Sequence, residues 1–217
     1  MLQQIIKEFN KKYSAGFLWL VTIGCIMQLV AFIITKCSYI SFISGTAGVL
    51  SVVLCSEKKI SMYIFGFIQL LTYVYLCLQQ NLYGEIFENI FYFVTMIIGV
   101  ILWQSNYNEE KCEVVIRRLN FMDMLFIGLN ITILSLALGG ILSNTNDTYP
   151  YLDAFSTIPA FAAQILMILR YREQWWCWII VDILTCILWI KLGNWCMVAQ
   201  YVFWTANCIY GLKNWKN

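Results

Sequence analysis

The chain has 217 residues, 61% of them hydrophobic and only 12% charged, with 9 Trp, 13 Tyr and 14 Phe. A soluble domain of this length could not hide that much apolar surface, so lipid must be its solvent. A formal net charge of +2, spread over basic residues at helix ends, gives a nucleic-acid partner no footing.

Residues 1–13 read as a short amphipathic cytoplasmic helix. A cleavable signal peptide is not expected, because no small-residue cleavage site precedes a mature domain. About 20 apolar residues cross the hydrocarbon core as a helix. Eight runs meet that requirement, at 15–36, 38–56, 60–80, 84–105, 120–142, 151–171, 174–191 and 192–212. The segments on one side of these spans hold Lys7, Lys11, Lys12, Lys58, Lys59, Lys111, Arg117, Arg118, Arg170, Arg172, Lys213 and Lys216, leaving only Lys36 and Lys191 for the other side. Cytoplasmic loops carry the excess of Lys and Arg, so both termini are expected in the cytoplasm.

Shifting the chain by 112 residues aligns its halves without a gap. Trp103 then meets Trp215, Gly99 meets Gly211, Phe91 meets Phe203, Ser44 meets Ser156 and Lys58 meets Arg170. Span ends coincide as well, which identifies an internal repeat. The expected fold is an all-α integral membrane protein of about eight spans, with two parallel triple-helix bundles joined by a linker helix. Residues 1–37 form an N-terminal segment with an extra span, and 38–105 the first bundle. Residues 106–150 form a cytoplasmic loop and linker span, and 151–217 the second bundle. Parallel repeats are a transporter architecture with substrate near the midplane.

Polar residues inside the spans are the candidates for chemistry, since a carboxylate near the bilayer centre costs about 3 kcal/mol on insertion scales. Asp182 is such a residue, and Trp175, Trp178 and Asp182 fall at i, i+3 and i+7, on one helical face. Two indoles and a carboxylate suit a flat cationic ring, through stacking, cation–π contact and Coulomb attraction. The bland alternative makes the tryptophans packing residues and Asp182 an interhelical hydrogen bonder. Asn89 and Tyr92 in the fourth span, Gln164 in the sixth and Asn207 in the eighth could supply hydrogen bonds to a sugar or amide. Glu85 and Glu88 lie near an external helix end. Pro159 is a candidate hinge.

Little else invites catalysis. Histidine is absent, and the nine cysteines include no Cys-x-x-Cys pair. They read as small apolar packing residues rather than disulfide or metal ligands. No phosphate loop, nucleophile elbow or paired-carboxylate motif stands out, so no catalytic residue, metal or cofactor is expected.

Several stretches resemble the PnuC family of bacterial nicotinamide riboside transporters, relatives of the SWEET sugar transporters. They are Glu57-Lys58-Lys59-Ile60-Ser61 before Tyr63, Phe65 and Gly66; Leu82-Tyr83-Gly84-Glu85; and Asp153-Ala154 with Ser156-Thr157. The run Ala163 to Met167, then Arg170 to Trp175, and the closing Tyr210-Gly211 and Trp215 also fit. Most specific is Trp-x-x-Trp-x-x-x-Asn/Asp, matched by Trp175, Trp178 and Asp182. Family members often carry Asn where Met62 stands, and Asp rather than Asn at 182 suits a cation.

The resemblance implies a SWEET-like fold in a bacterial inner membrane and facilitated diffusion of nicotinamide riboside by alternating access. It also implies trapping of the nucleoside by cytosolic phosphorylation. The expected partners are the lipid bilayer and a small cationic, nucleoside-like vitamin, and a homotrimer is open because family members form trimers. Thiamine, with its flat cationic thiazolium, is the rival substrate on the same scaffold. A substrate-capturing subunit of an energy-coupled vitamin importer and a proton-coupled carrier using Asp182 and Glu88 are the rivals from other classes.

Overall fold

A computed structural model describes residues 2–79, 83–145, 148–191, 193 and 195–216. In chain order the elements are α1 (Leu2–Asn10), α2 (Ala15–Thr35), α3 (Tyr39–Ser56), α4 (Met62–Gln79), α5 (Tyr83–Ser105), β1 (Tyr107–Asn108), β2 (Glu113–Val114), α6 (Phe121–Leu142), α7 (Pro150–Ile168), α8 (Gln174–Lys191) and α9 (Trp195–Asn214). Helices α2 to α8 are long and apolar enough to cross a membrane on their own. Helix α9, the expected eighth span, has the length but carries Gln200, Thr205 and Asn207. All eight expected spans are helices. The two-stranded hairpin in the loop after α5 is an addition, antiparallel with Tyr107 opposite Val114 and Asn108 opposite Glu113.

Local chemistry explains the helix boundaries. Ser14, Ser38 and Asn120 sit in extended backbone and accept from the amides of Phe17, Ser41 and Asp123, capping α2, α3 and α6. Helix α4 is capped from far away. The Glu8 carboxylate, fully buried, accepts from the amides of Ile60 at 2.9 Å and Ser61 at 3.0 Å. These are orphan donors of the turn that opens α4, and a carboxylate there also meets the positive end of the helix dipole.

The chain divides into two compact units, one of Met1–Val115 with Ile168–Arg170, the other of Ile116–Met167 with Tyr171–Asn217. In the first, α3 packs on α2 and α4, and α4 packs on α5. Helix α1 turns Ile5 and Glu8 inward and leaves Ile6 and Phe9 exposed, as a helix lying in the membrane interface would. Lys7 pairs with Glu109 at 2.6 Å, Lys11 donates to the Lys111 carbonyl, and Ser14 donates to Glu57 at 2.9 Å. The amphipathic helix therefore straps the α3–α4 turn to the hairpin. In the second unit α8 packs on α9, and Ala163, Leu166 and Cys177 form a buried cluster joined by Leu119, Ile127, Ile131, Tyr171 and Trp178. Pro159 lies buried inside α7.

The repeat is visible atom by atom. In the first unit Tyr63 meets Trp103 edge-to-face, with ring centroids 5.4 Å apart and planes at 87°. At the same register in the second unit Trp175 meets Trp215, at 5.6 Å and 86°. Each pair rests on a glycine, Gly99 under Tyr63 and Gly211 under Trp175, where a β-carbon would collide with the ring. The turns after α3 and α7 match too. Lys58 and Arg170 are left-handed, with φ of 59° and 66°. The next amides, Lys59 and Tyr171, bond the carbonyls of Leu54 and Leu166 at 3.0 and 2.8 Å, closing Schellman motifs. A glycine would relax that backbone, but each side chain has work to do. Lys58 pairs with Glu113 at 2.7 Å, and Arg170 donates to the Val115 carbonyl at 2.8 Å.

Candidate functional site

Asp182 sits mid-way along α8 and is only 3% exposed. Its Oδ2 accepts from the Cys208 thiol on α9, with sulfur 3.4 Å away. Among the described residues no Lys or Arg pairs with it, since the ion pairs found there involve Glu109 and Glu113. Helices α7, α8 and α9 carry no Lys or Arg at all short of Lys191 and Lys213 near their ends. A carboxylate is thus held inside a span with a weak thiol donor as its named neighbour. Such a group marks a substrate or ion path unless it is neutralised.

Asn207, 1% exposed, is the residue before Cys208, so it lies at the level on α9 where that helix reaches Asp182. Gln164, 5% exposed, lies on α7. Trp178 is half-buried and packs beside Ala163, Leu166 and Cys177. Trp175 is almost fully buried as the wedge between Gly211 and Trp215, so its ring primarily keys α8 to α9. Asn89 and Tyr92 belong to α5 of the first unit, where Asn89 is buried and the Tyr92 hydroxyl donates to Glu88 at 2.7 Å. Leu82 and the side chains of Tyr83, Gly84 and Glu85 lie outside the described residues, and so does that of Cys196. No group of His, Cys, Asp and Glu among the described residues is arranged to hold a metal ion.

Two buried residues of α8 and α9 stand out only in the structure. Cys208 is 26 residues from Asp182, and nothing local signals that contact. Gln174, fully buried at the start of α8, has neither amide atom hydrogen-bonded among the described residues. Its spacing of eight from Asp182 was a signal available in the sequence.

Apolar helices around an internal carboxylate and buried amides define a multi-pass membrane protein of the transporter class. Comparison with known proteins makes that particular. Residues 38–217 match the family model described as nicotinamide mononucleotide transporter. The chain is 36% identical over 193 residues to the nicotinamide riboside transporter PnuC of Haemophilus influenzae, covering 88% of this chain and 84% of the relative. It is 31% identical over 200 residues to that of Neisseria mucosa, covering 87% and 76%, and 24% identical over 206 residues to that of Escherichia coli, covering 83% and 86%. A crystal structure of the vitamin B3 transporter PnuC superposes with a TM-score of 0.78 at 28% identity, covering 94% of this chain and 92% of that one. The chain belongs to the PnuC family.

Proposed function

We propose that this protein carries nicotinamide riboside into the cell by facilitated diffusion with alternating access, in a bacterial inner membrane with both termini cytoplasmic. The observation that carries the proposal is Asp182, a buried mid-span carboxylate with no basic partner among the described residues. A permanent cation supplies the missing charge, and in a medium of low dielectric their attraction is strong. The pyridinium of nicotinamide riboside is flat as well, which suits the half-buried face of Trp178. Asn207 and Gln164 are assigned to ribose hydroxyls and carboxamide. Trp175 holds α8 in register beneath them.

The same electrostatics favour the riboside over the mononucleotide. A phosphate monoester carries up to two negative charges, and α7 to α9 offer it no Lys or Arg within their spans beside Asp182. That repulsion also gives a reason for one-way accumulation. Once a cytosolic kinase adds the phosphate, the product no longer fits the site, and the gradient of free riboside keeps running inward without ATP at the carrier.

The test is tryptophan fluorescence of the purified protein titrated with nicotinamide riboside and, in parallel, thiamine and nicotinamide mononucleotide. Saturable quenching by the riboside at micromolar or lower concentration is expected, with weak or no response to the mononucleotide. Saturation by thiamine alone would move the protein to a thiamine branch on the same scaffold.

A further inference from the structure

The repeat sets α8 against α4 position by position. Where packing governs, the two units agree: an aromatic ring at 63 and 175, glycine at 99 and 211, tryptophan at 103 and 215. Among the positions where the halves differ, one stripe of α8 carries polar and aromatic residues in place of small or apolar ones. The first unit has Met62, Gly66 and Leu70, all buried. The second has Gln174, Trp178 and Asp182 at the corresponding positions. Residues spaced i, i+4 and i+8 on a helix span an arc of about 80°, so the three share one face.

Gln174 is the unexplained member. It is 0% exposed, and both its Oε1 and Nε2 lack a hydrogen-bond partner among the described residues. A buried amide without partners costs free energy, whereas a methionine of nearly equal length in that place would cost none. The other unit carries that methionine, 2% exposed in the corresponding turn. Packing alone therefore favours Met at 174, and an amide kept there at a loss calls for a partner that comes and goes.

We infer that Gln174 is a further ligand-binding residue, giving and accepting hydrogen bonds to the uncharged polar groups of the substrate, its hydroxyls or carboxamide, two turns along the stripe from Asp182. The inference rests on the proposed role of Asp182. On this stripe the labour is divided: Asp182 holds positive charge, Trp178 offers a ring face, and Gln174 reads hydrogen-bonding groups. Because the amide is enclosed here, it meets ligand in a conformation that uncovers the start of α8.

The deciding experiment uses the full chain with Gln174→Met, the substitution the first unit already carries, beside Asp182→Asn. Dissociation constants for nicotinamide riboside and its neutral dihydro form are read by fluorescence, together with melting temperature. Q174M is expected to weaken both ligands alike by about tenfold while the melting temperature holds or rises. D182N should weaken the cation more than the neutral form. Wild-type affinity in Q174M with weakened D182N would overturn the role of Gln174 and leave the Asp182 site standing. If D182N also binds like wild type, the site reading itself fails. Should Q174M melt lower than wild type, Gln174→Asn decides, since it keeps the amide but withdraws it by one methylene: weakened binding supports the inference, and unchanged binding overturns it.

Discussion

At the scale of the residue, the proposed site turns on a single buried carboxylate. Asp182 is enclosed by α8 and α9 and meets a thiol, a poor donor. Replacing it with Asn keeps the shape and removes the charge. Asp182→Asn should therefore weaken nicotinamide riboside more than a neutral isostere, by tenfold or more, since about 1.4 kcal/mol separates each tenfold step. Equal losses for charged and neutral ligands, measured by parallel titrations, would mark the carboxylate as a helix–helix tie. Asp182 is legible in the sequence as a buried mid-helix carboxylate because a charge in an apolar run is visible without a structure. Trp175 and Trp178 could not be told apart that way, because spacing assigns both to one face. Only the wedge of Trp175 on Gly211 distinguishes a buried packing ring from the half-buried Trp178.

Between elements, two joints carry testable consequences. A β-carbon at Gly211 would lie 2.5 Å from two ring atoms of Trp175, in a contact with no room to yield. Gly211→Ala should destabilise the second unit by about 1–3 kcal/mol, the usual cost of overpacking. Gly99→Ala should do the same to the first, and thermal unfolding in detergent reads both. The second joint is α1, held by Glu8. Burial pushes the Glu8 carboxyl above the ordinary carboxylate range, against the opposing pull of its bonds to Ser61 and Ile60 and of nearby Lys59. When α1 is released, Glu8 returns to water and its ordinary pKa. Docking therefore takes up a proton: α1 should be held most firmly below about pH 4.5, and its attachment should loosen as pH rises through the raised value. Hydrogen exchange of residues 2–10 at low and neutral pH checks the sign, and Glu8→Gln should remove the dependence. The sequence showed α1 as an amphipathic helix. Its docking partner lay 52 and 53 residues away, beyond the reach of any local pattern.

For the whole molecule, the proposal to test is passage without an energy source. Liposomes holding only this protein should take up nicotinamide riboside until concentrations equalise, at a rate indifferent to ATP and to an imposed pH gradient. Dependence on a pH gradient would instead assign a proton-relay role to the carboxylates, and failure to transport without a partner would point to a capture subunit. At this scale the halves of the chain agree in their ring pairs, glycine seats and left-handed turns. That agreement shows duplication of a packing solution.

The sequence by itself determined the solvent, the eight helical spans, the repeat register and the odd carboxylate. Each of these depends on run length, periodicity or a charge out of place, which are properties of neighbours along the chain. The tertiary structure alone decided that Glu8 caps α4, that a hairpin follows α5 and that Trp175 is a wedge. It also showed Cys208 touching Asp182, and the Gln174 side chain enclosed without a hydrogen-bond partner among the described residues. Those features arise where helices distant in sequence close on one another. There the cost of an unmet polar group or a displaced ring is set by the packing around it, not by the residues beside it in the chain.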